Sequence, residues 1–154
     1  RSPDTAATQV IGRLLKYAAN DFNELWRLRP VTLPRKKKRV DTVLVNTIPV
    51  IISRGMHYNA VIDLSDKTLP ADSAWKKALE ITRAALGPAY VYNFGSLLRQ
   101  DMYNFYVPDS NGSMPTAYLE RDPLNDEHRI FLKIMSTSIH PVKRSRNWSR
   151  YDDW

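Results

Sequence analysis

The sequence predicts an α+β fold, a small antiparallel sheet packed with two or three helices and carrying a basic loop and a basic C-terminal tail. Three observations predict it. Val, Ile and Thr dominate short runs between residues 40 and 64, separated by links too short for crossover helices, so neighbouring strands must pair antiparallel. Two longer stretches place apolar residues at the three-and-four spacing of a helix face. The 154 residues are 43% hydrophobic and 25% charged, enough to bury one core and too apolar for a disordered chain.

In chain order, Ser2-Pro3-Asp4 reads as a helix start, Ser2 capping and Pro3 in the first turn. The helix is expected to run to about Leu28, with Val10, Ile11, Leu14, Leu15, Ala18, Phe22, Leu25 and Trp26 forming one stripe. That stripe suits either the domain's own sheet or a neighbouring subunit. Val40 to Val45 and Ile48 to Ser53 read as strands, with Pro49 marking an edge or a break. Arg54-Gly55 is a turn, and Met56 to Leu64 alternates, with Tyr58, Ala60, Ile62 and Leu64 on the buried side. Asp72 or Ser73 is expected to cap a second helix that buries Trp75, Ala78, Leu79, Thr82, Ala85 and Leu86 and stops at Gly87-Pro88.

Ala89 to Phe94 predicts a short strand through Tyr90, Tyr92 and Phe94. Ser96 to Tyr106 fits a third helix with Leu97, Leu98, Met102 and Phe105 inward. Pro108 to Pro115 is an exposed loop, Thr116 to Glu120 a strand, Arg121 to His128 a charged turn, and Arg129 to Ile139 a β run with Ile130, Leu132 and Ile134 on one face. The division that follows is a single domain over 1–139, with its basic loop at 29–39, and a basic, aromatic tail over 140–154.

The charge is unevenly spread. Of 23 Lys+Arg, seven lie between Arg27 and Arg39 (Arg27, Arg29, Arg35, Lys36, Lys37, Lys38, Arg39), with no acid among them. Four more lie in the tail, Lys143, Arg144, Arg146 and Arg150; without these eleven the chain holds 12 basic against 16 acidic residues, net −4. The formal +7 therefore belongs to two runs that Pro30, Pro34, Pro141 and Trp148 keep out of long helices. Like charges so close repel one another, so the chain gains from a partner that supplies phosphates. In the tail the cations interleave with Trp148 and Tyr151, the combination that tracks a backbone and stacks bases. Trp148 and Trp154 also suit burial against the domain or a neighbouring copy, the commoner fate of a lone Trp. Asp152-Asp153 beside them would mask the tail cations in the free protein.

Pro34-Arg35-Lys36-Lys37-Lys38-Arg39-Val40 resembles the short monopartite nuclear localisation signals, in which Pro precedes four or five consecutive cations. That resemblance implies a nuclear import receptor as a partner. No run of eighteen apolar residues marks a transmembrane segment and no leader is visible, so an intracellular protein, of nucleus or virion, is expected. Opening on Arg1 rather than Met fits a processed chain or a piece of a longer one.

Catalytic signals are weak. The chain has no cysteine, which removes thiol chemistry, disulfides and Cys-ligated zinc; His57, His128 and His140 lack metal-ligand spacing; and none of five glycines builds a phosphate-cradling loop. Asp63 with Asp66, or Asp126 with Glu127, offers the one route to a divalent ion and nuclease work. No cofactor is implied. In composition the chain resembles self-assembling coat, matrix and nucleoproteins of viruses. The expected function is thus non-enzymatic, sequence-nonspecific binding of RNA or single-stranded DNA by a protein that associates with itself, through Arg27, Arg29, Arg35, Lys36, Lys37, Lys38, Arg39, Lys143, Arg144, Arg146, Trp148 and Arg150. The alternative is a nuclear-targeted interaction or adaptor domain whose basic run is only an address, and a metal-dependent nuclease stands third.

Overall fold

The computed structural model describes residues 3–29, 39–55, 57–97, 100–122 and 128–137. Seven strands form one antiparallel sheet: β1 (Val40–Val45), β2 (Ile48–Ser53), β3 (Asn59–Asp63), β4 (Val91–Leu97), β5 (Gln100–Tyr106), β6 (Ala117–Arg121) and β7 (Ile130–Met135), in the spatial order β1-β2-β3-β7-β6-β5-β4. The α+β class expected from the sequence is the class observed. Helices α1 (Pro3–Ala18) and α3 (Ala71–Leu86) pack side by side on one face, α1 over β3 and β7, α3 over β6 and β7. The short α2 (Asn23–Leu28) follows α1.

Directly opposed residues in antiparallel strands share a face, so the register draws the core as rows across the sheet. One row runs Val43, Val50, Ile62, Leu132, Leu119, Tyr103, Phe94 through all seven strands. A second runs Ile52, Ala60, Ile134, Ala117, Phe105, Tyr92. From β1 to β6 these residues are buried beneath the helices, and Phe105 on β5 is buried with them. Only at β4 does the apolar surface emerge, Tyr92 and Phe94 being exposed.

The expected single helix from 3 to 28 is interrupted. Asp21 and Phe22 take left-handed backbone (φ 63° and 59°), Phe22 N–H donates to the Tyr17 carbonyl at 2.8 Å and Asp21 N–H to that of Ala18 at 3.5 Å. This is the pair of reversed bonds that ends a helix with an αL residue after its cap, here Asp21 where glycine is commoner. The break turns Phe22, Leu25 and Trp26 inward, so the apolar stripe survives although the helix does not. It packs on the domain's own sheet. The cap expected from Ser2 lies outside the described residues.

The second helix lies where the spacing predicts it, ending at Gly87 (φ 86°), whose N–H donates to the Arg83 carbonyl at 3.0 Å. Its N-cap is Pro70, with no side-chain cap. Asp72 accepts instead from Arg121 at 3.2 Å, and Leu79, expected at the helix's buried centre, is only half-buried. Arg121 also reaches Asp101 at 3.0 Å and lies 4.8 Å from the Trp75 ring centre, tying α3 to β5 and β6.

The largest correction falls on 96–106, expected as a third helix and observed as the end of β4 and the whole of β5. Asp101, Tyr103 and Phe105 share the helix-side face at period two, and pairing with β4 and β6 on either side overrides the coincidental helical spacing of Met102 and Phe105. Pro49 sits in β2 beyond the end of the β3 ladder, which starts at Val50, so its missing N–H costs β3 no bond.

Lys77 of α3 bridges Asp4 of α1 (3.1 Å) and Asp66 of the 64–70 link (2.6 Å). The Lys77 ammonium, then the Thr68 hydroxyl and N–H, hold the Asp66 carboxyl down at about 2. A carboxylate depressed in the folded state contributes stability that is complete above its ordinary value and is lost as pH falls from about 4 toward about 2. Asp66→Asn is therefore expected to flatten the stability profile in that window and leave it parallel to wild type above pH 5, as urea unfolding at stepped pH would show.

Candidate nucleic-acid interface

The described part of the expected basic surface is its two ends. Arg27 lies exposed in the last turn of α2 and Arg29 follows as its C-cap, extended at φ −68° and ψ 145°; Arg39 immediately precedes β1. The sequence separates these ends by a decade of residues. The fold brings both to one residue that the sequence reading passed over as a turn residue, Arg54: Arg29 shares an aromatic ring with its side chain, and Arg39 meets its backbone.

Arg54 leaves the end of β2. Its N–H donates to the Arg39 carbonyl at 2.8 Å, and its guanidinium lies 4.1 Å from the centre of the Trp26 ring. Arg29 approaches the same ring at 5.4 Å. Trp26 is 8% exposed, so a nearly buried indole is faced by two arginines at the mouth of the basic run. Burial first, and then the charge of Arg29, pull the Arg54 pKa below its ordinary value. The charge of Arg29 thus adds to the cost of ionising Arg54, and an incoming anion would be attracted by both guanidinium groups. Arginine's planar fork also suits phosphate geometry.

Arg54 belongs at the same time to a depression on the face of the sheet opposite the helices. The depression is about 330 Å³, at the small end of ligand-sized cavities. Met102, Met135 and Tyr118 supply apolar wall, and His57, Asn59, Glu120 and Lys133 supply polar groups. Tyr118 and Lys133 stand directly opposed on β6 and β7, which fixes both on the open face. The interface thus has two parts joined at Arg54, a cationic cluster around an indole and a shallow concavity that holds an aromatic, Tyr118, with one further cation, Lys133, and one acid, Glu120.

Of the residues expected to bind nucleic acid, Arg29 and Arg39 are therefore brought to one place with Arg54, and Arg27 is exposed in the last turn of α2. Arg35, Lys36, Lys37 and Lys38 lie outside the described residues, as do Lys143, Arg144, Arg146, Trp148 and Arg150. The sequence reading missed Arg54, Trp26, Tyr118 and Lys133. A signal existed for Lys133 alone, as the polar alternate in a strand whose Ile130, Leu132 and Ile134 face the core.

The described acidic pair, Asp63 with Asp66, is already engaged by the protein's own groups. Asp63 accepts the Ser65 N–H at 2.8 Å, and Asp66 is engaged by Lys77 and Thr68. Among the described residues no three His, Cys, Asp or Glu side chains gather into a metal-holding group; Asp126, Glu127 and His140 lie outside them. No described helix is long and apolar enough to cross a membrane. Compared with known protein families, curated proteins and solved structures, the chain matches none.

Proposed function

We propose that this chain is a non-enzymatic nucleic-acid-binding protein of the self-assembling coat, matrix or nucleoprotein kind, which engages RNA or single-stranded DNA through its phosphates. The observation that carries the reading is the meeting of Arg29 and Arg54 on the Trp26 ring, with the Arg54 N–H donating to the Arg39 carbonyl, so that the two described ends of the basic run come together there. Like-charged arginines held together are stabilised by a polyanion, and the adjoining concavity offers Tyr118 for stacking with Lys133 for charge. None of these groups selects a base by itself, so affinity should vary little with sequence.

The test is fluorescence-anisotropy titration of short RNA and single-stranded DNA oligomers across a salt series. Counterion release gives a slope of about −0.7 per phosphate contact for single strands, so engaging about five cations implies roughly −3.5. Arg54→Ala is expected to flatten the slope by about 0.7–1, by one contact, and to do so equally for unrelated sequences. Absence of binding at low salt, or an Arg54→Ala slope identical to wild type, would exclude this surface.

A further inference from the structure

The sheet ends differently at its two edges. At β1 the first apolar row closes on Val43, 5% exposed, whereas at β4 it runs out on Phe94, 55% exposed, with Tyr92 of the second row at 37%. Beside these rings the C-terminal half of α3 and β4 enclose an open groove of about 820 Å³. β4 reads Val-Tyr-Asn-Phe-Gly-Ser-Leu, seven residues with no charge and no proline. Charges, prolines and bulges are the usual means of keeping a sheet edge from pairing, and this edge has none of the first two.

We propose that a second copy of this chain docks on the outer edge of β4, antiparallel and two-fold, so that the two sheets continue as one of fourteen strands. This deepens the self-associating part of the function proposed above. Centring the axis on Phe94, the middle residue, pairs all seven positions: Phe94 faces its own equivalent, Tyr92 faces Ser96, and Val91 faces Leu97. The apolar row then runs unbroken from one copy into the next. An isologous contact is self-complementary, so a charge within it is best met by its opposite on the same surface, and the groove carries both signs on one face of α3. Glu80 and Arg83 lie one turn apart, and neither forms an ion pair with a described residue. Across the two-fold, Glu80 of one copy meets Arg83 of the other, while Arg83 stays over the Tyr92 ring, 5.2 Å from its centre. The β1 edge is less suited, because it carries a charge within the strand, Asp41, of the kind that discourages edge pairing, where β4 carries none.

Light scattering on the full chain, stripped of nucleic acid in high salt, tests the proposal. Wild type is expected at twice the 17.8 kDa chain mass, and Phe94→Lys at the single-chain mass while keeping the wild-type circular dichroism and a cooperative melt, since the ring is more than half exposed in the single chain. The sequence has no cysteine, so Phe94→Cys supplies a single thiol, which the two-fold places opposite itself at a Cα separation of roughly 4.5–5.5 Å, within disulfide reach. Mild oxidation should then yield a covalent dimer, and Leu44→Cys on β1 should not. A monomeric wild type, a dimer that survives Phe94→Lys, or cross-linking at 44 in place of 94 overturns the proposal. Mass is read without nucleic acid, so this result and the oligomer titration can fail independently.

Discussion

Leu132→Ala is expected to lower the unfolding free energy by about 3–5 kcal/mol, a fall in melting temperature of roughly 6–20 °C for a domain of this size. Leu132 is fully buried on β7, the fourth strand of seven, with Ile62 and Leu119 directly opposite on either side. Both long helices pack on that strand. A cavity there is walled by a β ladder on two sides and by helices above, so the surroundings have little freedom to close it, which places the cost in the upper half of the range for such truncations. Leu79→Ala, on the half-buried flank of α3, is expected to cost only about 1–2 kcal/mol, because part of that side chain already meets solvent. Leu44→Ala, 65% exposed on the open face, should stay within about 0.5 kcal/mol. Thermal and urea unfolding of the three variants would check the order. Equal losses at 132 and 44 would mean that the apolar rows are wrongly assigned to the two faces.

The same comparison explains what the sequence discloses and what it hides. β1, β2 and the buried side of β3 are legible because β-branched residues, a two-residue period and short turns all agree, and such agreement leaves little for tertiary context to decide. α3 is legible in the same way, from its stripe to Gly87. β5 is not, because Leu97, Leu98, Met102 and Phe105 fall by chance at helical spacing, and the choice is made by two neighbouring strands remote in sequence. The break at Asp21 and Phe22 escapes for a related reason. Its apolar residues keep their phase across the kink, so the stripe alone carries no mark of it.

The candidate site follows that pattern. Clustered charge is a local property, and it singles out Arg29 and Arg39, which the fold places near Arg54, one through the shared Trp26 ring and the other through a backbone bond. Arg54 stands among turn residues with nothing local to distinguish it, and Trp26 is one apolar member of a helical stripe. Their meeting depends on the ladder that brings the end of β2 beside the start of β1, a contact between residues 15 apart in number (Arg54 to Arg39), and on the inward turn of α2. An interface assembled by topology can be read only once the topology is known.

Replacing Lys36, Lys37 and Lys38 together by Ala is expected to flatten the salt dependence of binding by roughly 2, since up to three phosphate contacts at about 0.7 each are removed. Binding should weaken similarly for unrelated RNA and DNA strands, because phosphates carry no base identity. Stability should hardly change, as like-charged side chains adjacent in sequence lose mainly mutual repulsion when truncated. The triple variant also separates the two demands made on one segment. A phosphate-binding surface needs its cations near the Arg29, Arg54 and Trp26 cluster, so the loss in slope should add to that of Arg54→Ala, approaching roughly 3 for the combined variant. An import signal needs only the string Pro34 to Val40 presented to a receptor, and is indifferent to Arg54. If the triple variant keeps the wild-type slope while a fused reporter loses nuclear accumulation, the segment is an address, the adaptor reading replaces the nucleic-acid one, and the Arg54 cluster is left as a device that pins the ends of that segment to the sheet.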